Sequence, residues 1–392
     1  MSEIKVNSIK GVGASAAAIT VNNTDGTCTA NITNNLSNKN KIINGDFSVH
    51  QRGGTLTASG ATYTLDRWRA YITGSSSGGY TVEQSTSSYP QTNLSGVKDN
   101  FKASVLITVT SAGSASSDNN VKFQQRIEGN NVSDLAFGTA AAKKVTVSFY
   151  VKCSITGTFG ISLINGSHNR SNVQTYTVNS ASTWERKTIT FDGDTSGSWD
   201  FGTGTGMQLM FDLGSGSVKH ASSTGTWLSG EYHGTSSSTK LVHTNGATLQ
   251  FAGVQLEAGS IATNFEHRSY GQELELCERY YQLIAPSVAE ALIGNTSDYD
   301  NYTYFTIDLH TVMRANPTLV IGNHTDAFRL YGTNARNVNT FAANTGVTTT
   351  SKIQLYASGG SSGAVGFARV FKNTSGNQIG GTYATIAVNS EL

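Results

Sequence analysis

A long succession of short predicted strands and polar turns, from Lys41 to about Phe265, most constrains the fold of this chain. Within Lys144–Lys152 every second residue is apolar, as in a strand that buries one face. Gly, Ser, Asn and Asp residues separate such segments at fairly regular spacing, which is typical of an antiparallel sandwich or barrel. The other strands predicted in this region are Tyr80–Gln84, Ala103–Val109, Val121–Ile127, Gly160–Ile164, Gln174–Val178, Glu185–Phe191, Met207–Leu213 and Leu249–Leu256.

The composition agrees with a chain built from strands and turns. Glycine occurs 42 times and proline 3 times, and charged residues make up 14% of the 392 residues. An average soluble domain has roughly 25% charged residues. A chain of this length exceeds one ordinary domain, so we expect two or three.

One stretch has a convincing helical pattern, and it follows the last strand predicted above. Ser269 and Gln272 stand three residues apart, as in a capping box, in which each side chain satisfies a free backbone N–H of the first turn. Pro286 is expected to end the helix. The apolar positions at helical spacing are Leu274, Cys277 and Tyr281.

The predicted fold class is all-β, in four parts. We expect a short β-structured leader at residues 1–40, an antiparallel β-sandwich at 41–268, a short connecting helix at 269–285 and a smaller C-terminal β domain at 286–392. The strands expected in the last part are Tyr302–Leu309, Thr318–Ile321, Ala327–Tyr331, Lys352–Tyr356, Gly363–Val370 and Thr382–Val388.

Charge and cysteine content argue against several classes of function. The formal net charge of +1 is scattered and provides no basic surface for nucleic acid or an anionic membrane. Cys28, Cys153 and Cys277 are far apart and form no CxxC pair, so we expect neither a disulfide framework nor a zinc site. No apolar run suits a signal peptide or a span of ~20 residues. We therefore expect that the protein is synthesised in a reducing cytosol and does not insert into a membrane. We expect it to reach the outside of the cell only as part of a particle released by lysis.

No arrangement of residues predicts a catalytic site, and we expect a protein that performs no chemistry. Gly74–Gly78 has the letters of a hydrolase nucleophile elbow without its strand–turn–helix context. Nothing selects a pair of carboxylates for glycoside hydrolysis. Asp192–Asp200 resembles a calcium loop, but Thr203 stands where the bidentate glutamate would be. The alternative is a turn in which Asp side chains accept hydrogen bonds from their own backbone.

Two tryptophans, Trp199 and Trp227, lie in Gly/Ser-rich loops of the sequence. An exposed indole at such a position would offer a platform for a sugar ring. The alternative is that each ring closes one end of the sandwich. Trp68 and Trp184 adjoin predicted strands, and we expect both in the core.

A series of motifs resembles the tail-fibre or tail-fibre-like proteins of bacteriophages, especially those of phages that infect marine and cyanobacterial hosts. The likeness covers Lys41–Gln282 and weakly includes Met313–Thr318. The opening INGDF and the closing GVQLE are also similar to the first and last strands of jelly-roll carbohydrate-binding modules. The motifs are KIINGDFSVHQR (Lys41–Arg52), TYTLDRWRAY (Thr62–Tyr71), FQQRIEG (Phe123–Gly129), VTVSFYVK (Val145–Lys152), Trp184–Trp199, Gly206–Leu213, Phe251–Gln282 and MRANPT (Met313–Thr318).

This resemblance implies a homotrimeric, non-enzymatic appendage of a virion. Residues 1–40 would join the phage tail or an adaptor protein, a jelly roll would form the middle, and a variable tip would contact the host surface. Some carbohydrate-binding modules hold a structural calcium against the first and last strands, and Asp46 and Glu257 occupy comparable positions here. A buried Arg67 or Arg126 would need an acceptor such as a carboxylate or a carbonyl.

The predicted function is attachment of a phage to its host through a cell-surface polysaccharide or lipopolysaccharide. Three copies would convert weak single-site affinity into avidity. Two alternatives stay open: a depolymerase that cuts the glycan, and a structural connector or head decoration. The predicted ligand contacts in the C-terminal domain are Tyr302, Tyr304, Arg329 and Tyr331, with core and turn positions as their alternative role. The predicted trimer contacts are Leu274, Cys277 and Tyr281.

Overall fold

A computed structural model describes most of the chain up to residue 285 and several separate segments beyond it. Only the backbone is described for the strands of the first 30 residues and for many strand positions after residue 284. The described ranges are 8–9, 19–21, 28–30, 38–92, 99–285, 292–293, 295–299, 302–322, 328–331, 336–337, 340–344, 348–358, 369–372 and 385–392.

Short β-strands make up most of the regular structure. They are β1 (Ser8–Ile9), β2 (Ile19–Val21), β3 (Cys28–Ala30), β4 (Leu56–Thr57), β5 (Gly60–Tyr63), β6 (Trp68–Thr73), β7 (Gly79–Ser85), β8 (Ser104–Ser111), β9 (Asn120–Glu128), β10 (Val145–Cys153), β11 (Gly157–Asn165), β12 (Arg170–Val178), β13 (Glu185–Phe191), β14 (Thr205–Asp212), β15 (Trp227–Ser229), β16 (Thr248–Ala258), β17 (Tyr281–Ala285), β18 (Leu292–Ile293), β19 (Asn295–Tyr299), β20 (Tyr302–Asp308), β21 (Thr318–Gly322), β22 (Phe328–Tyr331), β23 (Arg336–Asn337), β24 (Thr340–Ala343), β25 (Lys352–Ser358), β26 (Arg369–Lys372) and β27 (Thr385–Asn389). The helical segments are α1 (Tyr270–Glu278) and the 3₁₀ turns Gly129–Asn131, Ser133–Leu135, Ser217–Lys219 and Leu241–His243.

Two antiparallel sheets form the large middle region. The six-stranded sheet has the order β13-β10-β16-β8-β7-β4, and the seven-stranded sheet has the order β15-β12-β11-β14-β9-β6-β5. The chain passes repeatedly from one sheet to the other, for example from β8 to β9 and then to β10. The region is therefore a jelly-roll sandwich, and the predicted all-β fold class is confirmed.

Aromatic rings from both sheets fill the space between them. Phe211 of β14 stacks on Phe251 of β16 with ring centroids 4.2 Å apart. Trp68 is fully buried and stacks on Phe123, with centroids 5.0 Å apart. Trp184 lies in a separate buried cluster with Phe101, Tyr150 and Ala252. The prediction that Trp68 and Trp184 are buried is confirmed.

The opening motif INGDF folds against the last strand of the sandwich. Lys41 N–H donates to Leu256 O, and Val254 N–H donates to Gly45 O, each at 2.8 Å. A Cβ at Gly45 would lie 2.1 Å from Val254 O, so only glycine fits this approach. The neighbouring Asn44 has φ 57°, a left-handed conformation that asparagine tolerates.

The predicted capping box is present at the start of α1. Ser269 Oγ accepts from Gln272 N–H, and Gln272 Oε1 accepts from Ser269 N–H at 3.1 Å. The helix ends at Glu278, however, and Tyr281–Ala285 is a strand that pairs with β27. The expectation of a helix up to Pro286 is therefore wrong, because pairing with the distant C-terminal strand takes over these residues.

Smaller antiparallel sheets account for the two ends of the chain. The strand order is β1-β2-β3 in the leader, which agrees with the prediction of a β-structured segment there. After α1 the orders are β17-β27-β21, β18-β26-β22-β23 and β19-β20-β25-β24. These sheets confirm a β-rich C-terminal region.

The C-terminus contacts the sandwich through an ion pair with a buried arginine. Arg67 is 1% exposed and forms an ion pair with Glu391. Arg67 Nη2 also donates to Arg126 O at 2.6 Å. Glu391 Oε1 accepts from Arg52 Nη2 at 3.2 Å. The predicted acceptor for a buried Arg67 is thus confirmed, and its carboxylate comes from the other end of the sequence.

Arg279 and Tyr280, which directly follow α1, also contact this part of the sandwich. The Arg67 guanidinium lies 3.5 Å from the centroid of the Tyr280 ring, and Tyr280 OH donates to Glu128 Oε2 at 2.7 Å. Arg279 donates to both oxygens of Glu128 at 2.9 and 2.6 Å. We call Arg52, Arg67, Glu128, Arg279, Tyr280 and Glu391 the anchor network.

Candidate functional site

Polar side chains cover the outer face of the seven-stranded sheet. In β9, Val121, Phe123 and Ile127 face the core, so the pleat turns Lys122, Gln124 and Arg126 to the other side. The register places Tyr71 opposite Lys122, Arg69 opposite Gln124, and Gln208 opposite Arg126. We call the following residues the sheet-face cluster: Tyr63, Arg69, Tyr71, Lys122, Gln124, Arg126, His168, Gln208, Lys219, Glu231 and His233.

A loop after β15 covers half of this face. His233 and Gly234 lie directly over β11, since a Cβ added at Gly160 would come within 2.6 Å of His233 O. Lys219 O accepts from His233 N–H at 2.9 Å, which ties the loop to the 3₁₀ turn Ser217–Lys219. This covering buries Lys122, Gln208 and His233 almost completely.

Glu231 lies at the centre of the covered half. Its Oε1 accepts from Lys122 Nζ at 2.7 Å and lies 3.1 Å from His233 Nε2. The same oxygen is 3.1 Å from His168 Nδ1, and Oε2 accepts from Lys219 Nζ at 2.5 Å. Two lysines and two histidines therefore surround one carboxylate.

Burial and these contacts shift three ionisation equilibria. Burial lowers the pKa of Lys122 to about 8, although the charge of Glu231 opposes this shift. Burial, and then the charge of Lys122, lowers the pKa of His233 to about 4, so its imidazole is neutral at pH 7. Burial would raise the pKa of Glu231, but hydrogen bonds with His168 and His233 and the charge of Lys122 hold it well below its usual range. Glu231 is consequently an ionised acceptor.

The other half of the cluster combines aromatic rings with polar groups. The Arg69 guanidinium carbon lies 5.5 Å from the centroid of the Tyr71 ring and 5.8 Å from that of Tyr63. All three side chains are half-buried. Gln124 is 1% exposed, and its Oε1 has no hydrogen-bond partner among the described residues. Rings that offer apolar faces beside unsatisfied polar atoms suit a sugar, which has both C–H faces and hydroxyl groups.

Sequence reasoning did not select the sheet-face cluster. The alternation in Val121–Ile127 predicted one buried and one polar face, but it did not predict that a distant loop would cover the polar one, with Glu231 109 residues from Lys122. Arg126 was predicted to need an acceptor if buried, and its Nε donates to the amide oxygen of Gln208 at 3.2 Å.

Trp199 closes one end of the sandwich. It is 8% exposed and packs edge-to-face on Phe137 and Trp227, with centroids 4.8 and 5.4 Å away. Because both faces are covered, the prediction of a sugar platform at Trp199 is wrong, and the alternative of a plug holds. Trp227 is half-buried and donates from Nε1 to Asp192 O at 2.7 Å. A ligand contact at Trp227 stays a prediction.

The loop that resembles a calcium site is held by protein groups. Arg170 donates to both oxygens of Asp194 at 2.9 and 2.5 Å. Asp200 Oδ1 accepts from Gly202 N–H at 2.6 Å. These contacts correspond to the alternative of a self-bonded turn.

Asp46 and Glu257 have separate partners. Asp46 Oδ1 accepts from Ser48 Oγ at 2.9 Å, and Glu257 accepts from Thr263 N–H at 2.9 Å and from Gln255 Nε2 at 2.8 Å. No group of three or more His, Cys, Asp or Glu residues suited to a metal occurs in the described part of the chain. Calcium at this position stays a prediction.

The predicted ligand contacts in the C-terminal domain lie on strands of that region. Tyr302, Arg329 and Tyr331 belong to strands β20 and β22, but their side chains lie outside the described residues. Tyr304 is half-buried, with its ring centroid 6.0 Å from that of Tyr356. A ligand role for these four residues stays a prediction.

The apolar face of α1 packs on its own chain. Cys277 is fully buried in a cluster with Ile43 and Val49, and Leu274 lies at the edge of that cluster. Tyr281 is 7% exposed, and the Arg52 guanidinium lies over its ring. The prediction that Cys277 and Tyr281 contact other copies is therefore wrong, because their side chains are covered within the chain. Leu274 as a trimer contact, and the trimer itself, stay predictions.

A second concave surface lies beside the six-stranded sheet. Its volume is about 460 Å³. Its lining includes the rings of Tyr89 and Trp184 and the ammonium group of Lys152, among several Ser and Thr side chains. It is the natural comparison site in binding experiments.

Three comparisons with known proteins complete the description. Neither a protein-family model nor a curated protein matches the sequence. The enzymatically active domain of tailspike protein 4 of bacteriophage CBA120 aligns with 56% of this chain and 22% of that chain, at 11% identity and a TM-score of 0.30.

No helix among the described residues has the length and hydrophobicity needed to cross a membrane.

Two carbohydrate-binding modules are also among the similar solved structures. TmCBM61 in complex with β-1,4-galactotriose aligns with 56% of this chain and 99% of that chain, at 9% identity and a TM-score of 0.27. The family 11 module from Clostridium thermocellum, in complex with a β-1,3-1,4-mixed-linked tetrasaccharide, aligns with 55% and 98%, at 12% identity and a TM-score of 0.24.

Proposed function

We propose that this chain is a phage tail-fibre protein that attaches the virion to its host by binding a cell-surface glycan. Its place would be the phage tail, as a homotrimer joined to a tail or adaptor protein through residues 1–40. The order of the tail-fibre-like motifs from Lys41 to Gln282 supports this identity. We further propose that the sheet-face cluster carries the glycan contact.

The observation that carries the binding proposal is the pairing of rings and unsatisfied polar atoms on one sheet face. Tyr63 and Tyr71 would pack against the C–H face of a sugar, and the half-buried Arg69 beside them would donate to a hydroxyl group. Glu231, held ionised, suits an acceptor better than an acid that protonates a glycosidic oxygen, which needs a raised pKa. We therefore propose binding without chemistry.

The test is binding of the purified full chain to cyanobacterial and other marine bacterial cells and to their extracted surface glycans. Tyr71→Ala should weaken binding about tenfold, since a stacking ring is removed. Tyr89→Ala removes a half-buried ring beside the six-stranded sheet, and Tyr304→Ala tests the C-terminal region. Both should bind like the unmodified chain.

The alternatives predict different results. Loss of binding only in Tyr304→Ala would place the receptor contact in the C-terminal region, and loss only in Tyr89→Ala would place it beside the six-stranded sheet. Absence of binding by any protein would contradict glycan attachment. Truncation after Ala285 is a poor test, because it removes Glu391, the partner of the buried Arg67.

A further inference from the structure

The open half of the sheet-face cluster contains two arginines that have no carboxylate partner among the described residues. Arg69 and Arg126 lie on the neighbouring strands β6 and β9, and the register makes them diagonal neighbours on one face. Diagonal cross-strand neighbours are roughly 7–8 Å apart at the backbone, within reach of long side chains. Burial, and then the charge of Arg69, lowers the pKa of Arg126, which agrees with this proximity.

Arg69 lacks the partners that a partly desolvated guanidinium normally has. Its Nε and Nη1 are buried and have no hydrogen-bond partner among the described residues. Its side chain contacts the rings of Tyr63 and Tyr71, which add no negative charge. Within the described part of the chain, the Arg126 guanidinium donates one hydrogen bond, to the neutral amide of Gln208. A buried donor without an acceptor is costly, so an acceptor from outside is expected here.

The carboxylates of Glu231 and Glu391 are already engaged by other side chains. Glu231 accepts from Lys122 and Lys219, and Glu391 pairs with Arg52 and Arg67. The sheet-face cluster as defined holds four cationic side chains, from two lysines and two arginines, against one carboxylate. The surplus positive charge lies on the open side.

Two other arginines of the chain each have a carboxylate partner. Arg170 is bidentate to Asp194, and Arg279 is bidentate to Glu128. A planar guanidinium matches a carboxylate in this way. Arg69 and Arg126 have no such carboxylate among the described residues, and both side chains are only half-buried, so each guanidinium is still partly accessible from outside.

We propose that Arg69 and Arg126 form a subsite for the carboxylate of an acidic sugar, such as a uronic acid. This assignment rests on the proposed function and adds the class of glycan. The sugar ring would pack against Tyr71 or Tyr63, and its carboxylate would accept from the two guanidinium groups. Neutral glycans would lack the charged contact.

The test is a glycan array that carries carboxylated glycans and the same glycans after reduction of their carboxyl groups. The full chain is compared with Arg69→Gln/Arg126→Gln and with Lys102→Gln/Lys143→Gln. The control pair removes two charges from exposed side chains just before β8 and β10, and neither ammonium group has a hydrogen-bond or ion-pair partner among the described residues. Near-ultraviolet circular dichroism checks each fold, and Arg69→Gln alone serves if the double variant does not fold.

Binding of carboxylated glycans, with loss on carboxyl reduction, is the expected result. The arginine variant should bind them at least tenfold more weakly, whereas the lysine variant should bind normally. Tight binding of neutral glycans only, or equal binding of acidic glycans by the arginine variant, would overturn the acidic subsite and leave glycan attachment standing. Absence of binding to any glycan of either kind would count against both.

Discussion

Two arginines that stand two residues apart, Arg67 and Arg69, lie in opposite environments on one sandwich. Arg67 is fully buried and receives a carboxylate, a carbonyl and an aromatic ring from its own chain. Arg69 is half-buried beside two rings, and two of its nitrogen atoms have no partner among the described residues. The arginines of the anchor network therefore have carboxylate partners within the chain, although Arg67 Nε and Arg52 Nη1 have no hydrogen-bond partner among the described residues, whereas Arg69 and Arg126 have no carboxylate partner there. Removing one member of a buried ion pair leaves a buried charge without its partner, whereas a partly exposed charge without a carboxylate partner is available to a ligand.

The largest expected effect is on the anchor network. Arg67→Gln leaves Glu391 buried with a weaker partner, and breaking a buried ion pair costs about 3–5 kcal/mol of unfolding free energy. Denaturant unfolding measures this loss. A double variant with Glu391→Gln should lose less than the sum of the single variants, since no uncompensated charge remains. Equal unfolding free energies of Arg67→Gln and the unmodified chain would contradict a stabilising role of the Arg67–Glu391 ion pair.

A smaller effect is expected from acid, through the covered half of the sheet-face cluster. The pKa of His233 is lowered from 6.5 to about 4 in the folded chain, so the unfolded chain takes up a proton first as the pH falls. Stability should therefore decrease between pH 6.5 and 4, by about 2–3 kcal/mol for this group.

His50 must be considered in the same measurement. Burial, and then the charge of Arg52, also lowers its pKa to about 4, so it contributes a slope of the same sign. Unfolding free energy measured across this pH range should have a smaller slope in His233→Gln than in the unmodified chain. An unchanged slope would show that His233 is not held neutral.

A change of about 1 kcal/mol in unfolding free energy is expected from the cap at the start of α1, the helix that precedes Tyr280 of the anchor network. Ser269→Ala removes the capping side chain and should lower the unfolding free energy by about 1 kcal/mol. Gly271→Ala is the matched control, because a Cβ there meets nothing within 4 Å and alanine favours helix. Its unfolding free energy should stay equal or rise. Equal losses in both variants would argue against the cap.

The smallest effect on stability is expected from the variant with the largest effect on acidic glycans. Arg69→Gln/Arg126→Gln removes two like charges that have no carboxylate partner, so its unfolding free energy should stay within about 0.5 kcal/mol of the unmodified chain or rise. Denaturant unfolding beside Arg67→Gln gives the direct contrast. A loss of several kcal/mol would mean that the pair is structural.

Local patterns in the sequence predicted local structure well. The predicted strand Glu185–Phe191 has the observed bounds, and Val121–Ile127 is extended by one residue at each end. The capping box at Ser269 was also predictable, since it depends on residues three positions apart. These features require no knowledge of distant contacts.

Long-range contacts set the rest. The strand Tyr281–Ala285 forms because Thr385–Asn389 pairs with it, and nothing near Tyr281 indicates that partner. The sheet-face cluster likewise depends on Glu231, which reaches Lys122 across the sheet face. The sequence predicted that Trp199 contacts a ligand and that Cys277 contacts another copy of the chain. Both predictions are wrong because a sequence does not reveal which apolar side chains the chain itself buries.

Hydrogen–deuterium exchange, with and without the glycan that binds most tightly, tests the central claim most directly. The account predicts slower exchange in β5, β6 and β9, the strands that carry Tyr63, Arg69, Tyr71 and Arg126, when the glycan is bound. It predicts no change around residues 86–91 and 302–322. Protection confined to the segment 302–358, or to residues 86–91 and 182–184, with none in β5, β6 or β9, would contradict it.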